Sequence, residues 1–171
     1  MFSQDGSRFG LLTIRRRRLT ERSVPPVRPV QHVFQWFYVY GAVEPTTGDR
    51  FSPELPYLDT ESFKIFVDLF AQAFPYSLNL LVLDNSRAHT AQQLRLPANM
   101  GLVFLPSYCP ELNPIERVWR DLKDALARLQ FTKLEAQRDY IADLLRAYEA
   151  ATLQSLTGCP YFVEAIPALW A

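Results

Sequence analysis

Three acidic residues stand out because each lies beside a segment that predicts a strand or the start of a helix. Asp5 follows an apolar start, Asp84 ends the run LLVLD, and Glu116 comes shortly after Asn113 and Pro114. Hard divalent cations such as Mg²⁺ bind carboxylate oxygens, waters and substrate phosphates, and converging carboxylates can hold two ions about 3.5–4 Å apart. Such a pair stabilises the attacking and the leaving oxygen of an in-line displacement. If the fold brings the three acids together, they predict metal-dependent phosphodiester chemistry.

Each acid also has an ordinary structural interpretation. Asp5 could be an exposed acid near a frayed terminus, and Asp84 followed by Asn85 is typical of an Asx-turn. Glu116 stands three residues after Asn113, which is a capping-box pattern in which the acid binds the backbone N–H of the cap. Because the chain holds 18 acids, many triples exist, and spacing alone does not choose between these interpretations and metal binding.

Apolar patterning predicts the elements that must position these acids. Strands are predicted over residues 1–5, 9–14, 34–43, 78–84 and 102–105, the fourth of them a continuous buried run. A helix between the third and fourth strands begins with Thr60 as its N-cap and stops at Pro75, with phenylalanines at helical spacing. A short helical turn is predicted over residues 91–94. In open α/β sheets, sites form at the C-terminal strand ends, where Asp84 lies.

The strongest helix signal follows the fifth strand. Asn113 is its predicted N-cap, Pro114 its first residue, and an apolar stripe runs from Ile115 to Leu129. A second helix is predicted from Leu134 to Tyr148, and residues beyond 156 are predicted to form an irregular tail. Leading strands at hairpin spacing, followed by alternating helices and strands, predict a mixed α/β sheet covered by helices.

Composition limits the class of protein. The chain has 171 residues, 49% of them hydrophobic, which suits one compact domain. It has neither an apolar run of roughly 18 residues nor a secretion signal, so a cytoplasmic protein without a membrane partner is expected. Cys109 and Cys159 lie far apart, outside any zinc or disulfide spacing. The first 30 residues hold seven arginines and two acids, which fits phosphate binding, although a solvated basic strand edge is the alternative.

Longer motifs surround the acids. LLVLDNSRAHT around Asp84 and LVFLPSYCPELNPIERVWRDLK around Glu116 resemble the DDE transposases of the mariner-like superfamily, particularly bacterial insertion-sequence enzymes. FSQDGSRFG, YVYGAV, PTTGD and LPYLDTESFKIF extend the resemblance over most of the chain. The resemblance implies a ribonuclease-H-like α/β fold, with a mixed five-stranded sheet flanked by helices, and a single DDE-type catalytic domain over residues 1–171.

The resemblance also implies a site. Asp5 is similar to the first metal ligand, which bridges both ions, and Asp84 and Glu116 match the second and third. The implied cofactor is a pair of Mg²⁺ ions, for which Mn²⁺ can substitute. His89 and Asn85 are secondary site residues. The chain departs from the family at Gly6, where an acid is common, at Cys109, where Ser is common, and at Leu19, where Trp is common.

The implied reaction is hydrolysis at transposon ends, followed by attack of the freed 3′-hydroxyl on target DNA. Contacts to the DNA backbone are expected from Arg15, Arg16, Arg17, Arg18, Arg22 and Arg28. The implied partners are DNA, a second copy of the chain in a synaptic complex, and a separately encoded helix-turn-helix portion, since that upstream region is missing here. The protein is expected in the cytoplasm, at the nucleoid. The alternatives are an inactive remnant acting as a DNA-binding or dimerising inhibitor, and a different nuclease on the same fold.

Overall fold

The computed structural model describes residues 1–13, 21–23, 30–85 and 95–165. In chain order, its elements are β1 (Phe2–Gly10), β2 (Trp36–Val43), β3 (Arg50–Phe51), β4 (Glu54–Leu55), α1 (Thr60–Ala73), β5 (Asn79–Leu83), β6 (Met100–Phe104), a 3-10 helix (Pro110–Leu112), α2 (Ile115–Leu126), α3 (Leu134–Ala147), α4 (Ala150–Thr157) and α5 (Pro160–Val163). No helix within these described ranges is long and apolar enough to cross a bilayer.

One mixed sheet connects the strands in the order β3-β2-β1-β5-β6, and β4 also pairs with β2. The central strand β1 is antiparallel to β2 along its length but parallel to β5 only at Phe2 and Ser3, which lie opposite Leu81 and Val82. Continuing that register by two residues places Asp5 level with the end of β5. The sheet therefore presents the middle of β1 beside the C-terminal ends of β5 and β6.

Helices cover both faces of the sheet, because side chains alternate between faces along a strand. Phe2 of β1 packs with the buried phenylalanines of α1 on one face. Phe9 packs with Trp119 and Leu122 of α2, and with residues of α3 and α4, on the other. Odd-numbered residues of β1 thus face α2, and Asp5 shares that parity with Ser3 and Phe9.

The strands differ most from the prediction at β1, β3 and β4, whereas β2 and β6 are shifted by one or two residues at their ends. Residues 1–5 and the start of 9–14 form the single strand β1, because the polar residues between them pair with β2 throughout. Leu11 and Thr13 lie beyond the strand, although their N–H groups still bond to the carbonyls of Gln35 and Gln31. The two-residue strands β3 and β4 were not predicted, since two residues carry no periodicity, and they make a sheet of six strands where five were expected.

The helix predictions were correct for the cores of α1, α2 and α3 but not for every end. The cap of α1 is Asp59, whose carboxylate accepts the N–H of Ser62 at 2.8 Å, so the prediction of Thr60 was wrong. Helix α5 forms in the predicted irregular tail, with Pro160 in its first turn. The predicted turn over 91–94 lies outside the described residues.

The start of α2 is tied to β1 by buried polar groups. The Asn113 side chain donates to the carbonyl of Gln4 at 2.9 Å and accepts from the Ser3 hydroxyl. The same Ser3 oxygen accepts the N–H of Ile115 at 2.9 Å, so a strand residue caps the helix. Asn113 was predicted to cap α2 with its own side chain, and that prediction was wrong because its amide is used on β1. Both Ser3 and Asn113 are buried.

Replacing Ser3 with alanine should destabilise the fold by about 1–3 kcal/mol, because the N–H of Ile115 and the amide oxygen of Asn113 lose a buried partner. Urea unfolding of both variants measures this, with Ser155→Ala on the exposed side of α4 as the control, expected within about 0.5 kcal/mol of wild type. A Ser3 variant as stable as the control would show that the link contributes little.

Candidate active site

A cleft of about 400 Å³ lies at the C-terminal ends of β5 and β6, and Asp5, Asp84 and Glu116 all line it. Its remaining walls are Asn85, Asn113 and the segment 105–110 that follows β6. The three acids come from a central strand, a strand end and a helix start. The fold therefore brings together the carboxylates that the sequence singled out.

Asp5 lies half-buried on β1 and is held by the core of the protein. The indole N–H of Trp119 donates to Asp5 Oδ2 at 3.1 Å, while the ring itself is 1% exposed. Gly41 lies opposite Asp5 on β2, and a Cβ there would stand 2.6 Å from the Trp119 ring. Only glycine leaves room for this ring. Trp119 lies on the apolar stripe predicted for α2, which agrees with its burial, but that stripe gave no sign of the hydrogen bond to the first acid.

Asp84 is the first residue after β5, and it is exposed to the cleft. The side chain of the next residue, Asn85, donates to the carbonyl of Leu105 at 2.6 Å and lies 3.5 Å from the Ser107 hydroxyl. Asn85 thus ties the end of β5 to the segment after β6. Asn85, which was predicted as a secondary site residue, lines the cleft and has a structural role there. It fixes the end of β5 and the segment after β6 beside Asp84.

Glu116 lies in the first turn of α2 and is partly exposed. Its carboxylate forms no hydrogen bond or ion pair with the described part of the chain. The capping-box interpretation is wrong, because the N–H of Asn113 donates to the carbonyl of Pro110 at 3.0 Å and its side chain bonds to β1. The Glu116 carboxylate is therefore available to the cleft, near the positive end of the helix dipole.

Most of the predicted residues beyond the three acids and Asn85 do not belong to the cleft as described. His89 and the arginines at 15–18 and 28 lie outside the described residues. Arg22 lies in the described segment 21–23, where it is exposed, and it does not line the cleft.

The pKa of the buried Tyr40 is raised by burial and by two nearby carboxylates. Burial and the carboxylate of Asp59 raise the pKa of Tyr40 to about 12, and the charge of Asp5 adds to the rise. The Tyr40 hydroxyl is therefore protonated at neutral pH. It donates a hydrogen bond to the carbonyl of Asp59 at 3.4 Å. It is suited to a structural role and not to that of a general base.

The residues that line the cleft fit a hard divalent cation by their chemistry. All three acids offer carboxylate oxygens, the ligands that Mg²⁺ prefers. As their side chains stand, however, no group of three or more acidic, histidine or cysteine side chains in the described ranges is arranged to hold an ion. The two observations differ because lining a common cleft requires proximity, whereas ligation requires oxygens converging at about 2 Å. To hold one ion, the three side chains would have to rotate until their carboxylate oxygens converge on it.

Solved structures share this fold. A pre-cleavage Mos1 transpososome matches with a TM-score of 0.73 and 12% identity, over 92% of this chain and 51% of that chain. The Mos1 strand transfer complex matches with a TM-score of 0.69 and 13% identity, over 92% of this chain and 50% of that chain. This chain thus spans about half the length of the Mos1 chains. The likeness confirms the predicted ribonuclease-H-like class of fold.

Sequence comparison identifies the family to which the chain belongs. The protein y4pE/y4sA of Sinorhizobium fredii strain NGR234 is 37% identical over 90 residues, which cover 52% of this chain and 67% of that protein. Residues 1–138 match the family described as DDE superfamily endonuclease, so the match includes Asp5, Asp84 and Glu116 and most of the described elements. The chain belongs to the DDE superfamily endonucleases.

Proposed function

We propose that this chain is the catalytic domain of a DNA transposase, which cuts the ends of a mobile element and joins them to target DNA. The observation that carries the proposal is the single cleft lined by Asp5, Asp84 and Glu116. Membership of the DDE superfamily endonucleases supports phosphodiester cleavage. The shared fold of Mos1 transposase, solved as a strand transfer complex, supports the joining step.

Within this proposal, Asp5, Asp84 and Glu116 hold divalent ions, two Mg²⁺ or in their place Mn²⁺. Mos1 paired-end complexes solved with Mn and with Mg support the use of a divalent ion. When bound, the ions supply positive charge that activates a water and stabilises the leaving oxygen of the scissile bond. Because these acids act as ligands, none of them needs to carry a proton.

The chain itself contributes geometry. Trp119 fixes one oxygen of Asp5, and the Ser3–Asn113 link holds the start of α2, and with it Glu116, against β1. Asn85 holds the two strand ends beside Asp84. Phosphoryl transfer needs its reacting groups in line, so a rigid arrangement of ligands is the main contribution that a protein can make.

We propose that the chain binds DNA through its arginine-rich first 30 residues, which include Arg22. A second copy of the chain in a synaptic complex, and a helix-turn-helix portion encoded separately, complete the proposed assembly at the nucleoid. Mos1 paired-end complexes support the paired arrangement.

Cleavage of DNA should depend on a divalent ion and on Asp84. Incubation of supercoiled plasmid with Mg²⁺ or Mn²⁺ should give nicked or linear product, and EDTA should abolish it. Asp84→Ala should lower the rate by about a hundredfold or more, because the remaining two acids hold an ion poorly. A variant that nicks at the wild-type rate would rule out Asp84 as a ligand.

Glu116→Gln should abolish cleavage while leaving the melting temperature unchanged, since a neutral amide is a much weaker ligand for Mg²⁺ than a carboxylate. Glu135→Gln is a matched control, because Glu135 is also the second residue of its helix, α3, and is exposed outside the cleft. Cleavage and thermal melting are measured on the same preparations. An active Glu116 variant would leave the proposed site one ligand short.

Binding of the isolated chain to DNA should be weak and steeply dependent on salt, because arginine–phosphate contacts release counterions. In fluorescence anisotropy titrations of a generic duplex, Arg22→Ala should reduce the slope of log Kd against log salt by about 0.9. Arg146→Ala, at an exposed position of α3 paired with Asp143, should leave the slope unchanged. An Arg22 variant with the wild-type slope would show that this residue does not contact phosphate.

A further inference from the structure

A second cavity lies between α3 and the edge of the sheet, and the proposed reaction does not use it. Its volume is about 350 Å³, it opens to solvent, and among the described residues it shares none with the cleft that the three acids line. Its apolar walls include Phe37 and Val39 of β2 and Ile141 and Leu145 of α3. Cavities that bind ligands have volumes of roughly 300–1,000 Å³ and mostly apolar walls. This cavity has the size and the walls of a binding site.

The wall on α3 follows from the spacing of its residues. Arg138, Ile141, Ala142, Leu145 and Arg146 all line the cavity, and this spacing places them on one face of the helix. Ala142 contributes only a methyl group, so this face leaves space between the helix and the strand. Four of the five residues lie beyond residue 138, where the match to the family ends. Membership of the family therefore assigns no role to this cavity.

The rim of the cavity is positively charged, because three arginines and one acid line it. Arg138 is paired with that acid, Glu54, at 2.7 Å, and Arg146 is paired with an acid of its own helix. Arg50 differs, since its guanidinium donates to the carbonyls of Arg146 and Tyr148 at the end of α3 and forms no ion pair with a described residue. Arg50 is thus a cation held in place without a carboxylate.

This combination fits a ligand that carries an acid next to an apolar group. The apolar group gains by leaving water, and a carboxylate forms a charge-assisted hydrogen bond with a guanidinium. DNA fits less well, because a base needs an open aromatic face on which to stack. Phe37 is 6% exposed beneath the guanidinium of Arg138, and Phe51 packs against phenylalanines of α1.

The position of the cavity at the edge of the sheet favours a peptide as the ligand. The two-residue strands β3 and β4 pair only with β2 among the described strands. Phe51, Ser52 and Glu54, which lie in and between these strands, line the cavity. An extended peptide can run along such an edge and place one of its side chains in a neighbouring pocket.

We propose that the cavity between β2 and α3 binds a peptide segment of a partner protein, in which acids follow a large apolar side chain. The apolar side chain fills the space beside Ala142, and an acid binds the guanidinium of Arg50. This site goes beyond the function proposed above, since it attaches the chain to a partner and takes no part in cutting DNA.

The probes are three fluorescein-labelled peptides of sequence Gly-X-Glu-Asp-Glu-Gly, with Leu, Phe or Trp at X. Each is titrated with the whole chain, without DNA or divalent ions, and fluorescence anisotropy reports binding. At least one of the three should bind saturably. Its affinity should fall about tenfold or more when lysines replace its acids or when serine replaces X, because each change removes one half of the recognition.

Two variants test the two halves of the cavity. Ala142→Phe fills the apolar space and should weaken binding about tenfold or more, whereas Ala136→Phe, at an exposed position of α3 outside the cavity, should bind as wild type does. Arg50→Gln removes the charge but keeps an amide donor for the carbonyls of α3, and should weaken binding about tenfold. Arg120→Gln, at an exposed position of α2, is its control. Thermal melting shows which variants are folded.

Wild-type affinity in folded Ala142→Phe or Arg50→Gln would overturn the proposal. Equal binding of the acidic and lysine peptides, or absence of binding by all three acidic peptides, would overturn it even if neither variant folds. Displacement of the peptide by a DNA duplex would assign the cavity to nucleic acid instead. A sedimentation coefficient that rises with concentration in wild type but not in Ala142→Phe would assign it to a second copy of the chain. Failure of the wild type to cleave DNA would count against the endonuclease function alone, because peptide binding is measured without cleavage.

Discussion

The join between strand β1 and helix α2 determines the geometry of the cleft. Ser3 and Asn113 are both buried, and each satisfies polar groups of the other's segment. Buried polar groups that lack a partner are costly, so only one register of strand against helix is stable. A slip of one residue would break these bonds and turn Asp5 toward the opposite face of the sheet. Asp5 and Glu116 therefore keep their relative positions because their neighbours are tied.

Much of the fold could be predicted from local patterns, since the elements with long apolar periods are those that the sequence identified. The stripe of α2 and the run of β5 each carry enough residues to show their period. Two of the misses, at β1 and at the start of α2, share a cause, which is that the decisive partner lies far away in the chain. The polar middle of β1 is a strand because β2 pairs with it, and Asn113 does not cap α2 because Gln4 takes its amide.

At the candidate site too, local motifs could be read from the sequence, whereas contacts between distant residues could not. Asp5, Asp84 and Glu116 were identified from their motifs, and the structure places all three in one cleft. The motifs carried no sign that Trp119 holds Asp5, because its place on an apolar stripe fully accounts for the residue, and the hydrogen bond depends on the small size of Gly41. Sequence thus identified the acids, whereas the groups that orient them became visible only in three dimensions.

The separation of the joined segments has a consequence for synthesis. Ser3 and Ile115 are 112 positions apart in sequence, so the link cannot form until the start of α2 has left the ribosome. Contacts so distant in sequence form late in folding, since they pay the entropy of closing a long loop. During translation, Asp5 and Asp84 emerge first but stay without the helix that carries Glu116. If the three acids form one site as proposed, that site cannot assemble on a nascent chain before α2 has left the ribosome.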